Sequence, residues 1–166
     1  MLIREKVGNV ANTDIGNRRK DELQIEWFDA PKRIQRLRTQ NGTEVAIKFL
    51  QEGQRLEQGD ILFMDETTVI IVNIISCTAI AIEPRTMVEM GTVCYEIGNK
   101  HLPIFLQDEE VLIPYEEPLF RWLQAAGFAP EKKERQLRNM LKSNVTPHSH
   151  GGGSTLFSKI MNLASK

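Results

Sequence analysis

The chain has 166 residues, 41 % hydrophobic and 26 % charged, with 21 basic against 22 acidic side chains and a net charge of −1. That length admits one average domain or two small ones, and two small cores would each gain from dimerisation. The balanced charge gives no concentrated basic surface of the kind nucleic-acid phosphates demand, so no nucleic-acid partner is expected.

The N-terminus, MLIREKVGNV, has charges inside its only apolar stretch and no small-residue cleavage site, so it does not read as a signal peptide. The stretch Asp14 to Asp21 reads as a loop. Leu23, Ile25 and Trp27 then alternate with Gln24 and Glu26, the period of a half-buried strand. Ile34 to Arg38 and Val45 to Phe49 flank Gln40-Asn41-Gly42-Thr43, where Asn-Gly predicts a tight hairpin turn. Ile61-Leu62-Phe63 and Val69 to Ile75 read as further strands, with Thr67-Thr68 in the turn between them. Val69 to Ile75 is also the longest apolar run, and it is too short to span a bilayer. A soluble, cytoplasmic protein with no membrane partner is expected. Nothing before residue 75 has a helical period, so residues 1–75 read as a small all-β domain.

After Ser76 the pattern changes. Thr78 to Glu83 can form a strand that Pro84 ends. Thr86 followed by Glu89 is a capping box, in which each side chain satisfies a free backbone N–H at a helix start. Met87, Met90, Cys94 and Ile97 continue at helical spacing, and Gly98 or Asn99 is a plausible terminator. Strands are expected over His101 to Leu106 and Val111 to Ile113, joined by the acidic turn Asp108-Glu109-Glu110. Pro118 suits the first turn of a second helix whose apolar face is Leu119, Trp122, Leu123 and Ala126, with Gly127 ending it. The basic segment Glu131 to Lys142 reads as an exposed edge strand or a frayed helix. As a strand it completes β-α-β-β-α-β, the ferredoxin-like order. The fold class is therefore α+β, with the second domain at residues 76–142. Residues 143–166 form a tail: a glycine-rich, histidine-bearing arm, then an amphipathic segment from Leu156 to Ala164 that is too short to be a stable helix alone.

Chemistry-bearing residues are sparse. Of three histidines, two form His148-Ser149-His150 in the tail, a spacing that lets both rings reach one ion. Two histidines make only a bidentate clamp, and an accidental polar tail is an equally good reading. His101 follows Gly98-Asn99-Lys100 between a helix and a strand, where a lone histidine is more often hydrogen-bonded structure than a ligand. The two cysteines, Cys77 and Cys94, form no CxxC pair and sit among apolar neighbours, which favours core packing. No Walker-type phosphate loop, H-E-x-x-H or nucleophile elbow is present. Cys94 with His101 as thiolate and base is the remaining hydrolase reading. The pairs Glu109-Glu110 and Glu116-Glu117 read as solvated turns. A catalytic role is not expected.

The run Glu96-Ile97-Gly98-Asn99-Lys100-His101-Leu102-Pro103 closely resembles the GNRH-x-P signature of the UreE urease accessory proteins. Gly59-Asp60-Ile61-Leu62, Pro84-Arg85-Thr86-Met87, Val111-Leu112-Ile113-Pro114-Tyr115 and a histidine-bearing C-terminus agree in order. The resemblance implies an N-terminal β domain that holds a peptide or partner, then a ferredoxin-like domain that binds metal and dimerises. It implies a nickel metallochaperone, a homodimer in which His101 from both subunits binds one Ni(II), with His148 and His150 completing the coordination. Zn(II) and Cu(II) are expected to bind too, because imidazole sites discriminate poorly. The implied partners are the urease maturation GTPase and the urease apoprotein complex. This chain has Lys100 where the family usually has Arg, and only two tail histidines, so one tight ion per dimer and little bulk storage are expected. A metal-independent assembly module, with His101 merely structural, is the alternative from another class.

Overall fold

The computed structural model describes residues 1–141. The tail, with His148, His150 and the segment from Leu156 to Ala164, lies outside the described residues. The described chain divides into two compact units, Met1–Ile75 and a second that begins at Ser76.

The first unit consists of β1 (Leu2–Ile3), β2 (Gly8–Asn9), β3 (Arg19–Ile25), β4 (Ile34–Arg38), β5 (Glu44–Lys48), β6 (Asp60–Met64) and β7 (Thr68–Ile74). They form two sheets, β1-β5-β4 and β2-β6-β7-β3. Alternation decides which faces turn inward: Leu23 and Ile25 of β3 and Val45 and Ile47 of β5 are buried, while Gln24, Glu44 and Lys48 are exposed. Trp27 is buried just beyond β3 rather than within it.

The hairpin expected about Asn41-Gly42 forms, with β4 and β5 antiparallel, and three details of this unit go beyond the sequence expectation. Strand β3 starts at Arg19, inside the expected loop, because its backbone pairs in parallel with β7 from Arg19↔Thr68 onward. The short strands β1 and β2 carry too few residues to show a period. Between β4 and β5 lies a five-residue loop closed by Thr39 N–H to Thr43 C=O at 2.9 Å, and only Gly42 takes a positive φ, 88°. The buried carboxylate of Asp21 organises that loop, accepting from Thr39 Oγ1 at 2.7 Å and Asn41 N–H at 3.1 Å. A second buried carboxylate, Asp60, accepts from Glu57 N–H at 2.7 Å and pairs with Lys6 at 3.0 Å. Beside it Gly59 has φ 80°, and a Cβ there would lie 2.8 Å from Val10 Cγ2, so a larger residue would strain the backbone and force Val10 to move.

The second unit runs β8 (Ser76–Ile82), α1 (Met87–Asn99), β9 (Phe105–Gln107), β10 (Glu110–Pro114), α2 (Glu117–Ala125) and β11 (Glu131–Gln136). The strand order is β11-β8-β10-β9 and every neighbour is antiparallel. This is the ferredoxin-like arrangement, so the α+β expectation holds. Ile80, Ile82, Val111 and Ile113 face Val93 and Ile97 of α1 and Leu119 and Leu123 of α2 in one core.

Strand β11, EKKERQ, has no apolar alternation, and backbone pairing with β8 across six residues holds it in place. Ion pairs add to this. Glu110 is 5 % exposed rather than solvated, and it accepts from Arg135 Nε at 3.0 Å and Lys133 Nζ at 2.8 Å across β8. The largest influence, the Arg135 hydrogen bond, holds the Glu110 carboxyl below the usual carboxylate range against the opposing effect of burial.

Candidate metal centre at the end of helix α1

Helix α1 begins as its sequence requires. Thr86 is the N-cap and accepts the Glu89 N–H at 3.1 Å, while the Glu89 carboxylate accepts from Arg85 N–H at 2.9 Å, one residue earlier than in a reciprocal box. The packing face differs from the expected one. Val93 and Ile97 are buried, Met90 and Cys94 pack partly against the core, and Met87 is 92 % exposed. Val88 and Tyr95 are also exposed, at 78 % and 68 %, so an apolar stripe faces solvent along α1.

The helix continues through Gly98 and Asn99 and takes Lys100 as its C-cap. His101 follows in the left-handed region at φ 55°, and its N–H donates to Gly98 C=O at 2.9 Å. This is the inner hydrogen bond of a Schellman-type turn, formed here without the outer one, and the next residue of such a turn normally reaches back to the core. Leu102 does so: it is buried in the same cluster as Ile97, and Pro103 and Ile104 are buried after it. The imidazole-bearing residue is thus exposed between two anchored neighbours. The expected strand from His101 to Leu106 begins only at Phe105, because residues 101–104 make this turn.

Lys100 is fixed separately. Its ammonium lies 4.0 Å from the centroid of the Trp122 ring on α2, a cation–π contact that needs no planar guanidinium. Sequence reasoning did not find this contact. The only signal available was a basic residue at a helix end and an aromatic on the next helix.

His101 is the only histidine among the described residues. Among them, no three His, Cys, Asp or Glu side chains are grouped so as to hold a metal ion. Cys94, the candidate nucleophile, donates its thiol toward Met90 Sδ at 3.8 Å, and burial pushes its pKa up. A nucleophilic thiol needs the opposite shift. Of the acidic pair Glu116-Glu117, the first stands at the N-cap position of α2 without a side-chain capping bond, and the second bonds Arg121 at 2.7 Å and the Tyr115 hydroxyl. Among the described residues no helix is long and apolar enough to cross a membrane.

Fold and site together define a two-domain α+β protein with a ferredoxin-like second half, an exposed histidine and a cysteine held as the thiol. The profile of the UreE urease accessory protein N-terminal domain matches residues 3–75, and that of the C-terminal domain matches residues 77–155. A urease accessory protein UreE of Flavobacterium johnsoniae is 54 % identical over 164 residues, 99 % of each chain. Another, from Acetivibrio thermocellus, is 36 % identical over 150 residues, 90 % of this chain and 97 % of the relative. A third, from Actinobacillus pleuropneumoniae, is 42 % identical over 147 residues, 86 % of this chain and 79 % of the relative. The chain belongs to the UreE family of urease accessory proteins, which serve urease maturation as chaperones and are not enzymes.

Proposed function

We propose that the chain carries Ni(II) as cargo, bound between His101 of two copies, and delivers it during urease maturation. The observation that carries this reading is the exposed, left-handed His101 between buried Ile97 and Leu102. A non-glycine residue there costs about 1–2 kcal/mol of backbone strain, and such strain concentrates at functional positions. One imidazole cannot hold a first-row ion tightly, so the reading assigns further donors to the second copy's His101 and to His148 and His150 of the tail. A two-fold axis through the ion makes one histidine per chain count twice. The exposed stripe of Met87, Val88 and Tyr95 supports pairing through α1, which ends at His101.

The same imidazole donors accept Zn(II) and Cu(II), so selectivity in the cytoplasm falls to partners. The urease maturation GTPase and the urease apoprotein complex are the partners this reading assigns. The first unit, in it, holds a partner segment. Calorimetric titration of the wild type and His101→Ala with Ni²⁺ tests the site. The wild type should bind one tight ion per two chains. The variant should lose more than about 100-fold in affinity, beyond the roughly 10–100-fold that outer-shell partners cost. Equal affinity in the two proteins would remove His101 from the site.

A further inference from the structure

Strand β4 ends its sheet, pairing only with β5. Its register places Arg33 opposite Phe49 and Thr39 opposite Thr43, and both pairs are hydrogen-bonded, at 2.8 and 2.9 Å. In an antiparallel ladder such pairs recur at every second residue, so residues 33, 35, 37 and 39 bond to β5. The N–H and C=O groups of Ile34, Arg36 and Arg38 therefore point away from the sheet, along its open edge. The side chains of these three residues are exposed, while Gln35 and Leu37 lie on the core side, opposite buried Ile47 and Val45.

This edge is charged in one sense. Lys32, Arg33, Arg36 and Arg38 fall within seven residues that contain no acid, in a chain whose net charge is −1. Lys32 is paired with Asp29 at 2.6 Å and Arg38 with Glu44 at 2.7 Å. Among the described residues, no ion pair engages Arg33 or Arg36. Arg36 and Arg38 also line a shallow groove of ≈ 500 Å³ with Met1, Glu44 and Ala46. Ile34, 73 % exposed, and Leu2, 53 % exposed, border the same solvent face.

We propose that the β4 edge receives an extended, acidic segment of a protein partner, which adds to the sheet as a further strand. This rests on the reading of the first unit as the partner-holding one, and names the surface and chemistry involved. Backbone groups of the incoming strand satisfy the outward N–H and C=O groups of residues 34, 36 and 38, and carboxylates at alternate positions, which share one face, meet Arg36 and Arg38 on the solvent face of β4. A second copy of this chain is a poor occupant, because antiparallel self-pairing would set arginines against arginines.

The probe is an N-acetylated eight-residue peptide of alternating Glu and Val, with the Lys–Val peptide and a single-stranded oligonucleotide as controls. The Glu–Val peptide should bind the full chain and slow amide hydrogen exchange at Ile34, Arg36 and Arg38, while the Lys–Val peptide should not bind. Arg36→Glu should weaken binding at least tenfold by reversing the charge. Arg36→Pro should do the same by removing an outward N–H, a change that edge strands tolerate. Binding of the peptide without protection of those amides, or binding unchanged in both variants, overturns the proposal. So does an oligonucleotide that binds as tightly as the peptide. Nickel titration of the same samples separates this from the cargo reading: protein that binds nickel but not the acidic peptide overturns the edge alone, and protein that binds the peptide but not nickel overturns the cargo reading alone.

Discussion

Helices α1 and α2 share the inner hydrogen bond of their C-terminal turns, and only α2 adds the outer one. At the end of α2, Gly127 takes φ 87° and donates to Gln124 C=O at 3.1 Å, and Phe128 N–H returns to Leu123 C=O at 3.1 Å. At the end of α1 the equivalent place belongs to His101, with φ 55° and its N–H on Gly98 C=O at 2.9 Å. Glycine occupies that conformation freely, whereas a residue with a Cβ does so at a cost of about 1–2 kcal/mol. The turn geometry thus accounts for Gly127 completely and leaves His101 unexplained by stability. An exposed imidazole at a strained, anchored turn is what the proposed ligand role of His101 would require.

Stability and the proposed nickel binding separate at these two turns, and substitutions elsewhere in the second unit should affect stability alone. The largest loss is expected at Glu110. Removing a buried partner of two cations costs up to about 3–5 kcal/mol, reduced here to about 2 kcal/mol because Lys133 and Arg135 reach solvent. Glu110→Ala should lower the denaturant midpoint by that amount and leave nickel binding per folded dimer unchanged. Because the Glu110 carboxyl is held below its ordinary range, its contribution is complete above about pH 4.3 and is lost as pH falls through the folded value. Acid titration of Glu110→Gln should therefore show a shallower stability loss below pH 4.3 than the wild type.

Next in size is Gly127→Ala, which installs at α2 the strain already present at α1. It should cost about 1–2 kcal/mol in thermal or chemical unfolding. An unperturbed Gly127→Ala protein would mean that the left-handed turn carries little strain, and the comparison would lose its force. Thr86→Ala removes the cap at the other end of α1 and should cost about 1 kcal/mol, again with nickel titration unchanged.

Much of this was legible in the sequence. The alternation of Val45 and Ile47, the Thr86/Glu89 cap and the Pro118–Gly127 helix limits follow from local chemistry, and the β-α-β-β-α-β order follows from them. What escaped depends on tertiary context. Strand β11 is held by backbone register with β8 and by Glu110, and neither leaves a hydrophobic period in EKKERQ. Glu110 adjoins Asp108 and Glu109, both at positive φ in the turn, so all three read as one solvated cluster although the third points inward. Met87 fits the spacing of the packing face but stands on the first turn, beyond the reach of the sheet, and Val93 takes the core position. Gly98 reads as a terminator because glycine usually is one, yet the burial of Leu102 sets the turn at His101. At the candidate site, His101 was singled out through its signature, but its backbone conformation and the Lys100–Trp122 contact were not legible.

The most direct measurement is paired nickel titration and thermal unfolding of His101→Gly. Placing at α1 the residue that α2 already uses should leave stability equal to the wild type or raise it by up to about 1 kcal/mol, since relief of strain outweighs or balances glycine's entropy in the unfolded chain. The same protein should lose the tight ion shared by two chains. A His101→Gly protein that still binds one nickel per dimer with wild-type affinity would contradict the account.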